Sequence, residues 1–138
     1  MPTSADLLLD TSAAVALVTP TAESHEAILA RTHGATLGLA GHAAFETYSV
    51  LTRLPGGLRV SAAGAQRIIE TNFPATVHLE PAAAAAAVAA LAGAGIAGGA
   101  VYDGLVALAA ASVDTALLSC DRRAAPTYAA LAVRFELI

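Results

Sequence analysis

The feature that most constrains the fold is a series of short apolar runs that alternate with helical sequence. The first run, Leu7-Leu8-Leu9, lies between Asp6 and Asp10 and lacks the polar–apolar alternation of a half-exposed strand. Runs of this kind are typical of strands buried on both faces, which occur in parallel sheets. The alternation of strands and helices therefore predicts an α/β fold, with a parallel sheet flanked by helices on both faces.

The predicted elements follow one another without an internal repeat or a linker, so residues 1–138 are expected to form a single domain. Strands are predicted at residues 6–10, 35–40, 75–79, 115–118 and 133–138. Helices are predicted at residues 13–18, 23–33, 42–54 and 61–72, from Pro81 onward, and from residue 100 to a turn at 112–114. Thr11 or Ser12 is expected to cap the first helix and Ser61 the fourth. Pro81 suits a first helical position.

Charge and cysteine content limit the classes of protein to consider. The formal net charge is −4, and all seven basic residues are Arg, which gives no broad basic surface for nucleic acid. A local Arg cluster or a bound cation could still attract phosphate. The single cysteine, Cys120, excludes an intrachain disulfide and suits a reducing compartment. The start of the chain lacks the basic and long apolar segments of a signal peptide, so a cytoplasmic location is expected.

One uncharged stretch, residues 82–102, is long enough to cross a bilayer. It consists mainly of Ala and Gly, contains few Leu or Ile residues and has no Lys or Arg at either end. Membrane helices, in contrast, favour large apolar residues and carry flanking basic residues that orient them. We therefore expect no membrane span in this stretch.

A glycine-rich segment within that stretch, GAGIAG from Gly93 to Gly98, matches the G-x-G-x-x-G motif of dinucleotide-binding proteins. In those proteins a strand precedes the motif and a helix begins within it. Here a predicted Ala-rich helix precedes it, and Gly and Ala are so frequent that a chance match is expected. A flexible connection between two helices is the preferred interpretation, and nucleotide binding is a less favoured alternative.

Four carboxylates occupy positions where the predicted fold could bring them together. Asp10 and Asp121 follow predicted strands, and in open α/β sheets active sites form beyond the carboxyl ends of the strands. Asp103 lies in the first turn of an otherwise apolar helix, and Glu46 lies near the start of another. Both of these residues could therefore face the same edge of the sheet as the two strand-end aspartates.

Converging carboxylates repel one another and need a cation between them. Two full charges about 5 Å apart cost on the order of 3 kcal/mol at an effective dielectric constant of ~20. Ligands that are all oxygen, without matched Cys or His, select a hard ion such as Mg²⁺ or Mn²⁺. Such an ion takes phosphate oxygens as further ligands and activates water, which is the chemistry of phosphodiester hydrolysis.

Each acid also has a simpler structural explanation. Asp10 could cap the helix that follows it, and Glu46 could be a solvated residue at the edge of its helix. Asp103 could complement the positive end of a helix. Asp121 could be an ordinary turn residue, as Asp114 is expected to be. The metal-site hypothesis therefore depends on the four acids occurring together.

Four segments that contain these acids occur in the order of the acidic motifs of a known family. They are Leu8-Leu9-Asp10-Thr11-Ser12-Ala13, Ala44-Phe45-Glu46-Thr47-Tyr48-Ser49-Val50-Leu51, Tyr102-Asp103-Gly104-Leu105-Val106-Ala107 and Leu118-Ser119-Cys120-Asp121-Arg122-Arg123. In these segments the chain resembles PIN domains and, more narrowly, VapC toxins of bacterial toxin–antitoxin pairs. The resemblance extends over nearly the whole chain, including a closing helix and strand at residues 128–138.

The resemblance implies a three-layer PIN-like fold and a Mg²⁺- or Mn²⁺-dependent endoribonuclease, usually dimeric, that a VapB-type antitoxin protein inhibits. It implies metal-site and catalytic roles for Asp10, Glu46, Asp103 and Asp121. Accessory roles near the metal would fall to Ser119 and to Thr11 or Ser12, and Arg122 and Arg123 could hold substrate phosphate or form surface salt bridges. Gly104 follows Asp103 where Ala is more usual in the family. A non-catalytic interaction module of the same fold is the main alternative.

Overall fold

The structure, a computed structural model, describes residues 2–138, and this part of the chain contains four strands and seven α-helices. The strands are β1 (Leu7–Leu9), β2 (Leu37–Leu39), β3 (Leu117–Ser119) and β4 (Phe135–Leu137). The helices are α1 (Thr11–Val18), α2 (His25–Thr32), α3 (Ala43–Thr52), α4 (Ala62–Asn72), α5 (Pro81–Gly93), α6 (Ala100–Ser112) and α7 (Ala125–Ala130). Short 3₁₀ turns lie at Gly56–Leu58 and Arg122–Ala124.

The sheet is parallel throughout, with its strands in the order β2-β1-β3-β4. In the two central strands Leu8 pairs with Leu117 and Leu9 with Leu118, and all four side chains are completely buried. Helices cover both faces, with α1 packed on α2 and α3 and α6 packed on α5 and α7. This double coverage explains why the strands show no polar alternation, and the predicted parallel α/β fold is confirmed.

The prediction of a strand at residues 75–79 is wrong. This segment runs beside β2 but pairs with it only through an isolated parallel bridge between Ala40 and Val77. The N–H of Val77 donates to the carbonyl of Leu39 at 3.0 Å, whereas the N–H of Leu39 donates to the Thr76 hydroxyl at 3.0 Å. A side chain therefore takes the place of a backbone acceptor, and the regular ladder of a strand does not form.

The other predicted strands and helices are present, with ends that differ by a few residues. As predicted, α4 begins after Ser61, whose hydroxyl accepts a hydrogen bond from the N–H of Gly64 at 3.1 Å. β3 starts two residues later than expected, at Leu117. The reason is that the N–H of Thr115 donates to the carbonyl of Ala110 at 3.3 Å and so still belongs to the end of α6.

The uncharged stretch 82–102 is divided between two helices. As predicted, α5 begins at Pro81; it ends at Gly93, and Gly95 and Gly98 then turn the chain with positive φ angles of 71° and 61°. Because a helix precedes residues 93–98, the segment lacks the strand that dinucleotide binding requires, and the nucleotide-binding alternative loses its structural basis. Between residues 2 and 138, no helix is long and apolar enough to cross a membrane.

Gly38 in β2 allows the 75–79 segment to approach the sheet closely. A Cβ atom at this position would lie 2.1 Å from the carbonyl oxygen of Ala75, which belongs to the backbone and cannot rotate away. Gly104 in α6 is also close to a neighbour, since its Cβ would lie 2.3 Å from Leu91 Cδ2. In that case the obstacle is the end of a flexible side chain, which can move. A side chain at position 38 is therefore tolerated less well than one at position 104.

We expect Gly38→Ala to lower the free energy of unfolding by at least ~2 kcal/mol, because forcing extra atoms into a packed interior costs about 1–3 kcal/mol or more. Urea unfolding followed by circular dichroism measures the change. Gly93→Ala is the matched control, because nothing lies within 4 Å of a Cβ at that position. Equal stability of the two variants would contradict the close approach of residues 75–77 to β2.

Candidate active site

A pocket of about 350 Å³ opens beyond the carboxyl ends of β1 and β3. Its lining consists of Asp10, Thr11, Ser12, Val15, Glu46, Val50, Asp103, Val106 and Asp121. The four carboxylates singled out in the sequence therefore border the same space, although they come from four separate segments of the chain. Their roles as metal ligands and catalytic residues stay predictions, because bordering one pocket does not by itself establish coordination.

Asp10 is the most firmly held of the four acids. It is buried, and it caps α1 by accepting the N–H of Ala13 on Oδ1 at 3.0 Å, so the prediction that Thr11 or Ser12 caps this helix is wrong. The hydroxyl of Ser12 donates to the same oxygen at 2.6 Å. Asp10, rather than Thr11 or Ser12, is the N-cap because its own backbone is extended, as a cap residue requires.

Ser12 and Ser119 connect the ends of the two central strands. Ser12 Oγ accepts the N–H of Cys120 at 2.8 Å and lies 3.4 Å from Ser119 Oγ. Ser119 Oγ in turn accepts the N–H of Asp121 at 3.0 Å. These bonds couple the position of Asp121, after β3, to that of Asp10, after β1.

Asp103, in the first turn of α6, is the acid whose pKa shows the repulsion among the four carboxylates. Burial raises the pKa of its carboxyl group, and the negative charges of Asp10, Asp121 and Glu46, in that order, raise it further. Arg123 lowers the pKa, as the smallest of these effects. Because three separate acids act on Asp103, the pocket is a region of concentrated negative charge that a cation would stabilise.

Glu46 and Asp121 each have a basic group nearby. Glu46 lies in the first turn of α3, and its Oε1 is 3.8 Å from Nε2 of His42. The chain enters this helix through Gly41, whose φ is 52°. Asp121 Oδ1 accepts the N–H of Arg123 at 2.9 Å and lies 3.4 Å from its Nε. The positive charge of Arg123 reduces the repulsion at the edge of the pocket.

The donor atoms around the pocket match a hard cation in type. They are carboxylate and hydroxyl oxygens, the ligands that Mg²⁺ and Mn²⁺ prefer. Thr11 Oγ1 is buried without a hydrogen-bond partner. Within residues 2–138, however, no three His, Cys, Asp or Glu side chains are grouped closely enough to hold an ion. Sharing an ion would therefore require carboxylates to turn away from their present partners, such as His42 for Glu46.

The other residues singled out in the sequence differ in their relation to the pocket. Thr11 and Ser12 line it, whereas Ser119 is completely buried and does not. Arg122 and Arg123 are exposed in the 3₁₀ turn that follows Asp121 and also lie outside the lining. The side chain of Arg123 is 93% exposed, so it is free to contact a ligand at the edge of the pocket.

Tyr128 in α7 is a site residue that the sequence analysis missed. Its side chain is completely buried, and its hydroxyl donates to Asp10 Oδ2 at 2.7 Å across 118 positions of sequence. Burial and the negative charge of Asp10 raise the pKa of Tyr128 far above its ordinary value, so the hydroxyl stays protonated and acts as a donor. The ring packs edge-on against Phe135, with the centroids 5.7 Å apart.

Comparison with known proteins agrees with the fold. Residues 7–130 match the model of the PIN domain family. The solved structure of FitAcB from Neisseria gonorrhoeae superposes with a TM-score of 0.64 over 94% of this chain and 95% of the other. At 18% identity this similarity concerns the fold alone. The chain belongs to the PIN domain family, and the three-layer PIN-like architecture expected from the resemblance is confirmed.

Two relatives from Mycobacterium tuberculosis narrow the assignment within that family. The chain is 42% identical to Ribonuclease VapC27 over 127 residues, which cover 92% of this chain and 93% of the relative. It is 38% identical to Ribonuclease VapC40 over 133 residues, which cover 94% and 96%. Within the PIN domain family the chain is therefore of the VapC type, as its motifs predicted.

Tyr128→Phe should lower the free energy of unfolding by about 1.5–3 kcal/mol, because it removes a hydrogen bond to a buried carboxylate. The ring and its packing on Phe135 are retained, so the change isolates the hydroxyl. Tyr48→Phe is the matched control, since Tyr48 is exposed, and it should change stability by no more than ~0.5 kcal/mol. Equal effects in urea unfolding would show that Tyr128 does not hold Asp10 in solution.

Asp103→Asn should raise the melting temperature near pH 7 in EDTA. The raised pKa of Asp103 means that the folded state binds this proton more tightly than the unfolded state. The wild-type chain therefore loses stability as the pH rises from the ordinary Asp pKa through the raised folded-state pKa. The difference between the two proteins should shrink near pH 4, close to the ordinary pKa of an Asp side chain, because a larger fraction of Asp103 is protonated there than near pH 7.

Thermal unfolding at both pH values measures this effect. Asp114→Asn is the control, because Asp114 lies outside the pocket and its side chain is 92% exposed. A lower melting temperature for Asp103→Asn near pH 7 would contradict the repulsion among the four acids.

Proposed function

We propose that this chain is an endoribonuclease that hydrolyses RNA phosphodiester bonds at the pocket lined by Asp10, Glu46, Asp103 and Asp121, with Mg²⁺ or Mn²⁺ as its cofactor. The observation that carries the proposal is the position of these four acids around one pocket at the carboxyl ends of β1 and β3. The identity of 42% to a protein named a ribonuclease supports the reaction class. The oxygen-only lining supports the choice of cofactor.

Asp10 and Asp103 would be the principal residues that hold the ion. Asp10 is already oriented by Ser12, Tyr128 and the N–H of Ala13, so little entropy is lost when it binds a ligand. Asp103 is partly buried and surrounded by like charges, which favours its pairing with a cation over its exposure to water. When bound, a divalent ion supplies charge neutralisation of the phosphate and activation of the attacking water.

The remaining pocket residues would position the phosphate and limit access of water. Val15, Val50 and Val106 form apolar parts of the wall, and an apolar wall strengthens electrostatic interactions by lowering the local dielectric constant. The hydroxyl of Thr11 is buried without a partner, so a rotation of its side chain into the pocket would let it donate a hydrogen bond to a phosphate oxygen. Ser12 keeps its role of orienting Asp10, since its hydroxyl is already engaged by that carboxylate.

Arg122 and Arg123 would contact the RNA backbone at the edge of the pocket. Both are exposed beside Asp121, and guanidinium groups bind phosphate in a bidentate manner. The formal net charge of the chain is −4, so RNA binding depends on such local contacts and on the cation rather than on a broad basic surface.

The VapC type of the chain also suggests its partners. We expect a homodimer in the cytoplasm and inhibition by a VapB-type antitoxin protein. Coexpression of the chain with the product of a small neighbouring reading frame, followed by affinity purification and mass measurement of the complex, tests both expectations. A monomer that does not copurify with that product would contradict them.

Asp10→Asn should lower the rate of RNA cleavage by more than ~100-fold, because loss of even an outer partner of a metal ligand typically costs about 10–100-fold. Cleavage of total cellular RNA by the wild-type chain should also stop in EDTA and return with excess Mg²⁺ or Mn²⁺. The control is Glu70→Gln, which alters an exposed carboxylate in α4 outside the pocket. Full activity of Asp10→Asn, or activity in EDTA, would contradict the proposed mechanism.

A further inference from the structure

The exposed aromatic side chains of this chain lie on two helices, α3 and α6. The sequence contains three Phe, three Tyr and no Trp. Phe73 and Tyr128 are buried, and Phe135 is partly buried. The exposed members are Phe45, Tyr48 and Tyr102. All three lie on α3 or in the first turn of α6, the elements that carry Glu46 and Asp103.

Two of these rings form a continuous row with two histidines, which we call the aromatic strip (Tyr102, His42, Phe45 and His78). The rings of Tyr102 and His42 are stacked, with centroids 5.0 Å apart and an interplanar angle of 23°. Phe45 is tilted against His42 at 6.1 Å and against His78 at 5.8 Å. Phe45 is 62% exposed and Tyr102 is 52% exposed, so the strip presents ring surface to solvent.

The aromatic strip meets the edge of the carboxylate pocket at His42, which lies beside the pocket residue Glu46. Tyr102 precedes Asp103, and Phe45 precedes Glu46. His42, in the middle of the strip, lies 3.8 Å from the Glu46 carboxylate. A strand of nucleic acid with a phosphate in the pocket therefore has its neighbouring bases within reach of the strip.

We propose that the aromatic strip is a binding subsite that stacks unpaired bases of the substrate RNA next to the phosphate that is cleaved. The inference rests on the proposed ribonuclease function and adds the residues that bind the bases beside the cleaved phosphate. Every base has a flat face, and stacking on an aromatic side chain contributes to binding whatever the base. In a duplex these faces are already stacked and cannot pair with the strip.

The chemistry of the strip fits a base better than it fits a second protein surface. The groove beside it is lined by Gly41, His42, Phe45, His78, Leu79, Ala84 and Leu105. This lining has no carboxylate to repel the RNA backbone, in contrast to the neighbouring pocket. Its two aliphatic side chains, Leu79 and Leu105, lie beside the rings, and the rings supply the flat surface that stacks on a base. A polyanion that crosses an acidic site needs binding energy that does not depend on charge, and stacking supplies it.

Phe45→Leu tests the stacking, because leucine keeps an apolar side chain but removes the ring. Phe45→Trp keeps a flat aromatic surface and serves as the rescue variant. Tyr48→Leu is the matched control: it removes an exposed ring from the same helix that takes no part in the strip. All variants are made on the Asp103→Asn background, so that the RNA is not cleaved during the measurement.

The probe is a mixed-sequence single-stranded RNA that contains 2-aminopurine, whose fluorescence falls when it stacks. We expect Phe45→Leu to weaken binding by roughly 5- to 100-fold, the range that corresponds to the loss of one stacked base, and to abolish the quenching. Phe45→Trp and Tyr48→Leu should bind and quench like the parent protein. The same RNA annealed to its complement should bind weakly and show no dependence on Phe45.

Three results would overturn the proposal. The first is unchanged RNA affinity and quenching in Phe45→Leu. The second is duplex binding as tight as single-strand binding. The third is a change in oligomeric state on Phe45→Leu, measured by light scattering, with RNA binding intact, which would assign the strip to a contact between proteins. Because the titration does not involve cleavage, its result is independent of whether the wild-type chain hydrolyses RNA.

Discussion

Repulsion among four carboxylates around one pocket is the constraint on which the arrangement of the site depends. Its effect is visible at Asp103, whose pKa is raised by burial and then by the charges of the other three acids. The fold opposes this repulsion most strongly at Asp10, where Ser12, Tyr128 and the start of α1 all donate hydrogen bonds to one carboxylate. An ionised group can stay buried only when it is compensated in this way.

The parallel sheet makes this compensation possible. Adjacent parallel strands end at the same edge, so β1 and β3 deliver Asp10 and Asp121 to neighbouring positions. The hydroxyls of Ser12 and Ser119 then tie these strand ends together. Because Leu8 and Leu9 of β1 and both leucines of β3 are completely buried, the edge of the pocket is attached to the close-packed core of the sheet.

An acidic pocket is an unusual place for a polyanion to bind, and two features of the molecule bear on that difficulty. A hard cation in the proposed site would reverse the local charge. The aromatic strip would add affinity through stacking, which salt and net charge affect little. On this account the reaction centre and the stacking subsite are adjacent but physically different, so either could change with little effect on the other.

The sequence by itself was sufficient for the parallel α/β fold, because apolar runs without alternation and the residues at helix starts, such as Ser61 and Pro81, are local signals. It also indicated which acids follow strands and which begin helices. Only the tertiary structure could reveal Tyr128 as a partner of Asp10, the failure of residues 75–79 to form a strand, and the aromatic strip. Each of these features depends on contacts between residues that are far apart in the sequence, and only the folded chain determines which of them meet.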